Sequence, residues 1–222
     1  MKKRFFDFAK GLALAAMSLA VLFVGCTPDD PVNPTPGPGG EVVIPDISKI
    51  DLDKTWPLIS TIPSFVDGEA TNDVIVVVNA AGSALEAGGV NIYAHTGVIT
   101  DKSSGGSDWK YVKHEWNENI ADCKLTHVGG TIYAMTIAGG PRAFYGVPEG
   151  ESIKQIAFVF REEYNSSVPN FSAREIKNNG SDIYVDMVDA DLLAVKILSP
   201  NHGTIVPIGA KVSVVAVYTT VG

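Results

Sequence analysis

Aromatic and imidazole side chains are concentrated in one short part of the sequence. Two of the three tryptophans and two of the four histidines lie between residues 93 and 116. The rings are Tyr93, His95, Trp109, Tyr111, His114 and Trp116. Flat sugar faces stack on exposed rings, because the contact removes apolar area from water and places C–H groups on the negative ring face. These residue types therefore predict a carbohydrate platform, and the opposing interpretation is that the rings fill a hydrophobic core.

The alternation of polar and apolar residues before position 96 suggests which rings face solvent. Successive side chains of a strand point to opposite faces, so Tyr93 and His95 share one face and are predicted to point outward. The apolar residues of the other face are Val90, Ile92 and Ala94. If the stretch from Trp109 to Trp116 were fully extended, its two tryptophans would lie on opposite faces, with one in the core and one in the platform.

Sequence motifs for catalysis or metal binding are not found. None of the histidines (His95, His114, His127 and His202) has helical ligand spacing, and there is no nucleophile elbow, phosphate-binding loop or cysteine-rich zinc motif. Glu162 and Glu163 are adjacent, so they cannot be assumed to form the facing carboxylate pair of a glycosidase. Asp182, Asp186, Asp189 and Asp191 could suggest calcium, but Asp182 and Asp186 alternate with apolar residues, so a solvated strand face explains them as well. We expect a non-catalytic chain with no cofactor and no metal.

Strand patterns dominate the sequence that must position these residues. The predicted strands are 74–78, 90–99, 109–112, 124–128, 131–137, 153–160 and 182–188. Gly129 and Gly130 predict a tight hairpin turn between two of them. Short strands at this spacing, with no intervening helix, predict an all-β fold, an antiparallel immunoglobulin-like β-sandwich over residues 73–190. Residues 42–72, which prolines interrupt, are expected to form an irregular approach segment with one edge strand.

Residues 191–222 have the pattern of a second domain that has only begun. Strands are predicted at 193–198, 205–207 and 211–218, and three strands are too few to close a sandwich of ordinary size. We therefore expect the first strands of an incomplete immunoglobulin-like domain, with poor packing and exposed strand edges. The chain is then expected to be the N-terminal piece of a longer protein.

The N-terminus has the features of a targeting segment. A basic start is followed by an apolar stretch at 12–24, which is shorter than the roughly 20 residues of a spanning helix, so residues 1–25 are predicted to be a signal peptide. Gly25 before Cys26 resembles a bacterial lipoprotein signal, which implies lipid attachment to Cys26. An ordinary secretory signal with an incidental cysteine is the alternative. Residues 26–41 are rich in proline and glycine and are expected to form an extended tether.

Charge and the residues after Cys26 bear on partners and location. The formal net charge is −8, and the body is more acidic still because the first 25 residues are net basic. Such a body has no electrostatic footprint for nucleic acid. Asp29 and Asp30 resemble the acidic export signal of surface lipoproteins in Gram-negative starch-utilisation systems. We therefore expect an outer-membrane lipoprotein that faces the cell surface, with a periplasm-facing anchor as the alternative.

The segments 93–116, 123–137, 144–161 and 180–187 together resemble a known module. They are similar to the N-terminal β-sandwich of surface lipoprotein α-amylases of the glycoside hydrolase family 13 type, from starch-utilisation systems. That module is itself similar to starch-binding modules of families 25 and 26. The resemblance covers residues 73–188, and Ser-Pro-Asn-His-Gly after it matches the start of the next immunoglobulin-like domain. It implies a catalytic barrel that is missing from this chain, and no catalysis by the chain itself.

The resemblance also implies a set of binding residues. The starch-binding modules use two aromatic or histidine side chains one residue apart on a strand, followed after a loop by a tryptophan. Tyr93 and His95 match the pair and Trp109 matches the tryptophan, with Lys110 and Trp116 as secondary candidates. The loop before Trp109 is longer than in the family. The predicted function is non-catalytic α-glucan binding; the alternatives are a spacer without a ligand and an adhesion protein.

Overall fold

The computed structural model describes residues 46–189, 193–199 and 207–219, which form eleven strands, one short α-helix and two single-turn 3-10 helices. The strands are β1 (Ile59–Ile62), β2 (Val66–Asp67), β3 (Val74–Asn79), β4 (Ile92–Thr100), β5 (Thr126–Gly129), β6 (Ile132–Ile137), β7 (Ile153–Glu162), β8 (Glu175–Ile176), β9 (Ile183–Val188), β10 (Val195–Ser199) and β11 (Val215–Tyr218). The helix is α1 (Gly140–Tyr145). The predicted targeting segment and tether, with Cys26, Asp29 and Asp30, lie outside the described residues.

Two sheets form the sandwich, and the all-β prediction is confirmed. The first sheet has the order β1-β3-β6-β5, and the second has the order β2-β9-β7-β4 with β8 added beside β7. Neighbouring strands in both sheets are antiparallel, except that the two-residue strand β2 runs parallel to β9. The predicted hairpin is also confirmed, because β5 and β6 are antiparallel neighbours joined at Gly129 and Gly130.

The core lies between the inner faces of the two sheets. Val76 on β3, Ala94 on β4 and Phe158 on β7 are all fully buried in one apolar cluster. Each buried side chain of the size of valine or phenylalanine contributes about 1.5–3 kcal/mol through removal of apolar area from water. Inward residues alternate along β4 and β7, so the next residue on each strand lies on the outer face of the second sheet. That outer face carries the candidate site.

β3 is buried on both of its faces, which explains its continuous apolar sequence. Ile75 and Val77 point away from the main core into a second buried cluster that contains Trp56. The indole N–H of Trp56 donates to the carbonyl oxygen of Asp51 at 2.7 Å, and β1 pairs with β3 at the sheet edge. The segment before residue 73 therefore covers the outer face of the first sheet.

The predicted strand at 109–112 is wrong. Only an isolated bridge forms there, between Lys110 and Val98 of β4. Tyr111 has a φ of 51°, in the left-handed region, which interrupts the extended backbone, although the chain continues alongside β4 with the Lys113 N–H on the carbonyl oxygen of Thr96. The two tryptophans at 109 and 116 are therefore not related by strand alternation.

Residues after 192 form a separate small sheet in the part of the chain that is described. β10 and β11 are antiparallel neighbours, and Val195, Ile197 and Tyr218 are each more than 60% exposed. Most of the predicted strand at 205–207 lies outside the described residues. No described helix has both the length and the apolar character that a membrane crossing requires.

The short helix α1 was not predicted, and it supports β4 from the core side. Gly139 and Gly140 have φ values of 69° and 82°, and Pro141 then starts the helix, so no helical periodicity signals it. The hydroxyl of Tyr145 lies 2.7 Å from the hydroxyl of Thr96 on β4. Lys113 donates to the carbonyl oxygen of Phe144, which ties the segment after β4 to the same helix.

Substitutions at Gly140 and Gly146, at the two ends of α1, test whether the helix requires a glycine at its start. A Cβ at Gly140 would lie 1.7 Å from the carbonyl oxygen of Ala70, so Gly140→Ala requires the backbone to move. We expect it to lower the free energy of unfolding by about 3 kcal/mol or more. Gly146 also has positive φ but no atom within 4 Å of a Cβ, so Gly146→Ala should cost only about 1–2 kcal/mol. Urea unfolding measures both, and equal losses would contradict this account.

Candidate functional site

The segment between β4 and β5 runs alongside β4, which is the last strand of the second sheet. Backbone hydrogen bonds join Lys110 and Val98 at 2.9 and 2.7 Å, and the N–H of Lys113 donates to the carbonyl oxygen of Thr96 at 3.0 Å. Gly97 permits this approach, since a Cβ there would lie 3.0 Å from the carbonyl oxygen of Lys110. The segment therefore brings its rings onto the outward residues of β4.

Three of the predicted binding residues meet on this face. The ring of His95 stacks on Trp109 with centroids 5.8 Å apart and planes 27° apart. Trp116 contacts the same imidazole edge-on, at 5.1 Å and 72°. His95 and Trp109 are half-buried, and Trp116 is 37% exposed. We call His95, Trp109 and Trp116 the ring platform.

Tyr93 is not part of the exposed platform, so its predicted outward exposure is wrong. Its side chain is on the outer face, as the alternation indicates, but it is only 6% exposed. Tyr93 pairs across the sheet with Arg161 of β7, and the guanidinium lies 5.8 Å from the tyrosine ring centroid. Burial raises the pKa of Tyr93. A residue on the outer face of a strand is exposed only where no other group covers it. Here Arg161 lies against the ring of Tyr93.

Arg161 is the buried support of the platform. It is fully buried, and its guanidinium also lies 5.6 Å from the centroid of Trp116, so it contacts rings on two elements. It donates to Asn119 Oδ1 at 3.0 Å and to the carbonyl oxygens of Glu162 and Glu118. Burial lowers the pKa of Arg161, but a guanidinium starts high enough to keep its charge. Sequence reasoning missed it; the available signal was a charge ending the apolar run of β7.

His114 fixes the turn between the two tryptophans. Its ring is buried and contacts His95 edge-on at 5.4 Å. Nε2 lies 2.9 Å from the carbonyl oxygen of Ala94, and Nδ1 lies 2.8 Å from that of Glu115. His114 therefore joins the segment to β4 directly and acts as a scaffold residue.

Glu151 holds the other end of the segment. Its buried carboxylate accepts hydrogen bonds from the Thr100 hydroxyl at 2.6 Å, the Tyr111 hydroxyl at 2.8 Å and the Lys102 ammonium at 3.0 Å. The bonds from Thr100 and Lys102 hold the pKa of Glu151 at about 2, so the carboxylate is ionised. This network positions the loop that carries Trp109.

The fifth predicted residue, Lys110, lies beside the platform but is bound elsewhere. Its ammonium is 2.9 Å from Asp108 Oδ1, and its backbone pairs with Val98. A hydrogen bond from the Ser104 backbone N–H, together with Lys110, lowers the pKa of Asp108 to about 2. No contact between Lys110 and the platform rings is present among the described contacts of residues 46–189.

The adjacent glutamates and the cysteine singled out in the sequence are engaged in other contacts. Glu162 is paired with Arg174 at 2.8 Å, and Glu163 accepts from the Asn91 amide. Burial raises the pKa of Cys123 to about 12, so this thiol stays protonated and packs as a small apolar group. Over the described ranges, no group of three or more His, Cys, Asp or Glu side chains could hold a metal.

Comparison with known proteins adds no family assignment. No family model matches the sequence, and no curated protein matches it significantly. The function of the platform must therefore be argued from its geometry and from the residues themselves.

The half-buried His95 predicts a pH-dependent stability. Burial, with the nearby His114 and Arg161, lowers the pKa of His95 to about 4 against an opposing effect of Asp182, so the ring is neutral at pH 7. The unfolded chain binds this proton first, so the stabilisation is complete above about pH 6.5 and is lost as pH falls towards 4. Allowing for solvent screening, we expect a loss of about 1–2 kcal/mol.

Urea unfolding between pH 7 and 4 measures this loss. The variant His95→Asn should lose stability less steeply than wild type over that interval, whereas His127→Asn, at an exposed histidine, should follow wild type. A His95 imidazole that titrates near 6.5 in the folded protein by NMR would contradict the prediction.

Proposed function

We propose that the ring platform binds α-glucan and that this chain acts as a non-catalytic binding module. The observation that carries the proposal is that Trp109 and Trp116, from separate parts of one segment, converge on His95 and remain partly exposed. Ring faces that are partly in water are the surface on which a sugar can stack.

The exposure of these rings supports binding over core filling. Trp56 shows what a core tryptophan looks like in this protein: it is 5% exposed and belongs to a buried apolar cluster. Neither platform tryptophan belongs to a buried cluster in the described part of the chain. The platform is nevertheless rigid, because Arg161 and Glu151 hold the two ends of its segment. A rigid ring surface loses little conformational entropy on binding.

The inclination of the rings supports a curved ligand. Trp109 is nearly parallel to His95 and Trp116 is steeply inclined to it, so the two indoles are not coplanar. A flat β-glucan ribbon fits coplanar rings, whereas α-linked glucose units turn successive faces in different directions. The sequence resemblance to starch-binding modules agrees with this choice, and it associates the module with an α-amylase-type catalytic domain.

Affinity electrophoresis in gels containing amylopectin tests the platform. We expect retardation of the wild-type protein, and Trp109→Ala should weaken binding about tenfold or more because it removes the stacked ring, which is worth about 1.4 kcal/mol. Trp116→Ala should also weaken it. Tyr218→Ala removes an exposed ring on β11 and should leave retardation unchanged. Wild-type protein that runs at the same rate with and without glucan would favour a spacer without a ligand.

We also propose that lipidation of Cys26 anchors the protein in the outer membrane, facing the cell surface. Support comes from the apolar stretch before Gly25, the cysteine itself and the proline- and glycine-rich residues after it. An anchored binding module would retain polymer next to the cell.

The two cysteines allow a matched test of the anchor. Labelled palmitate should be incorporated into wild type and into Cys123→Ala but not into Cys26→Ala, because only Cys26 follows the targeting segment. Cys26→Ala should also leave the membrane fraction. Equal labelling of all three proteins, or a Cys26→Ala protein that stays fully membrane-bound, would contradict lipid attachment at Cys26.

A further inference from the structure

A groove of about 930 Å³ lies near the residue 162 end of β7, apart from the ring platform. Its walls are the segment 86–91, the hairpin between β5 and β6, and the chain that follows β7. The volume is within the range of small-molecule and cofactor sites, about 300–1,000 Å³. We call it the hairpin groove. The side chains that carry the argument are Asn91, His127, Tyr133, Glu163, Tyr164 and Phe171.

The groove is open because one part of its lining has almost no side chains. Ala87, Gly88, Gly89 and Gly130 lie together in the lining. A Cβ at Gly89 or Gly130 would have no atom within 4 Å, and the nearest atom to one at Gly88 is the Tyr133 hydroxyl at 3.5 Å. The hydroxyl of this otherwise buried tyrosine therefore reaches the groove.

Tyr164, Phe171 and the exposed His127 supply ring surface to the groove, whereas Tyr133 is only 5% exposed and contributes its hydroxyl. Tyr164 and Phe171 are half-buried and contact edge-to-face, with centroids 5.6 Å apart and planes 87° apart. His127 and Tyr133 are 4.9 Å apart and 42° inclined. Each pair keeps its rings in fixed orientations, which is the condition for stacking a flat ligand without ordering the rings on binding.

The polar lining is oriented, and its charge selects against anions. The Asn91 amide donates to Glu163 Oε2 at 2.8 Å, and the N–H of Glu163 donates to the carbonyl oxygen of Asn91 at 2.9 Å. A carboxylate held in this way accepts hydrogen bonds from hydroxyl groups. An amide both donates hydrogen bonds to hydroxyl groups and accepts them. The lining includes Glu86, Glu162 and Glu163 and contains no lysine or arginine. Glu162 is paired with Arg174, so Glu86 and Glu163 supply the net negative charge that disfavours negatively charged ligands.

Asn119 connects the groove to the buried support of the platform. Its Oδ1 accepts from the N–H of Tyr164 and from Arg161, both at 3.0 Å, and its Nδ2 donates to the carbonyl oxygen of Tyr164 at 2.9 Å. The backbone that carries Tyr164 is thus held by the same amide that holds the arginine under Trp116. Asn119 therefore fixes the groove wall at Tyr164.

We propose that the hairpin groove is a second carbohydrate-binding site, which takes a neutral oligosaccharide. Rings in fixed orientations, paired amide and carboxylate groups and the exclusion of anions are together the chemistry of a site for uncharged polyhydroxyl ligands. This site goes beyond the proposed platform and does not depend on it, since none of its lining residues belongs to the platform.

The test uses amide NMR shifts and calorimetry of the full chain in detergent, in a Trp109→Ala background that weakens the platform, and the residues whose signals shift distinguish the two sites. The neutral probes are maltoheptaose and cellopentaose. At least one of them should shift the signals of residues 86–91 and 164–171 at about 10 mM sugar. Absence of shifts with both probes would overturn the second site, and the wild-type amylopectin experiment would still decide the platform separately.

Matched variants and charged probes complete the test. Ala87→Trp fills the groove without removing a contact and should weaken binding at least tenfold, whereas Ala81→Trp, at an exposed alanine outside the lining, should bind like its parent. Equal binding by both would place the ligand elsewhere and overturn the proposal. Penta-galacturonate should not bind. Binding of penta-galacturonate, or of chitosan pentaose at least tenfold more tightly than both neutral probes, would overturn the assignment to neutral sugars.

Discussion

The buried guanidinium of Arg161 is the group on which the outer face of the second sheet depends. A charge taken out of water must be compensated by hydrogen bonds and polarisable neighbours, or the fold loses several kcal/mol. Here the compensation comes from the Asn119 side chain, two backbone carbonyl oxygens and the faces of Tyr93 and Trp116. Each of these partners must stay in place for the charge to remain buried, so one side chain determines where the end of the segment lies.

A second buried charge acts at the beginning of the same segment. Glu151 accepts hydrogen bonds from Thr100, Lys102 and Tyr111. It therefore holds the chain on both sides of Trp109. Between the two charged anchors, backbone bonds to β4 complete the attachment. Loops usually lie on surfaces and are more mobile than the strands they connect. This one is held at both ends, which is what a binding surface made from loop residues requires.

The two proposed sites both depend on β7, through consecutive residues whose side chains point to opposite faces of the sheet. Arg161 supports the ring platform, and Glu162, the next residue of β7, lines the hairpin groove. Asn119 bonds to both regions through Arg161 and Tyr164. A module with two neutral-sugar surfaces would bind a polymer more tightly than either surface alone, because the second contact becomes intramolecular. The acidic body disfavours anionic polymers and leaves neutral glucan chains unaffected.

Sequence alone determined six of the seven strands predicted between residues 73 and 190, the hairpin and the types of ring in the platform. Period-two alternation, β-branched runs and adjacent glycines are local signals, so the all-β fold and the β5–β6 turn could be predicted without knowing any distant contact. His95, Trp109 and Trp116 were predicted from residue type, spacing and resemblance. Only the tertiary structure decided that Tyr93 is covered, that Tyr111 interrupts the extended backbone and that Arg161 lies beneath the rings. Alternation tells which face of a strand a residue occupies, but whether another segment covers that face depends on contacts between residues far apart in sequence.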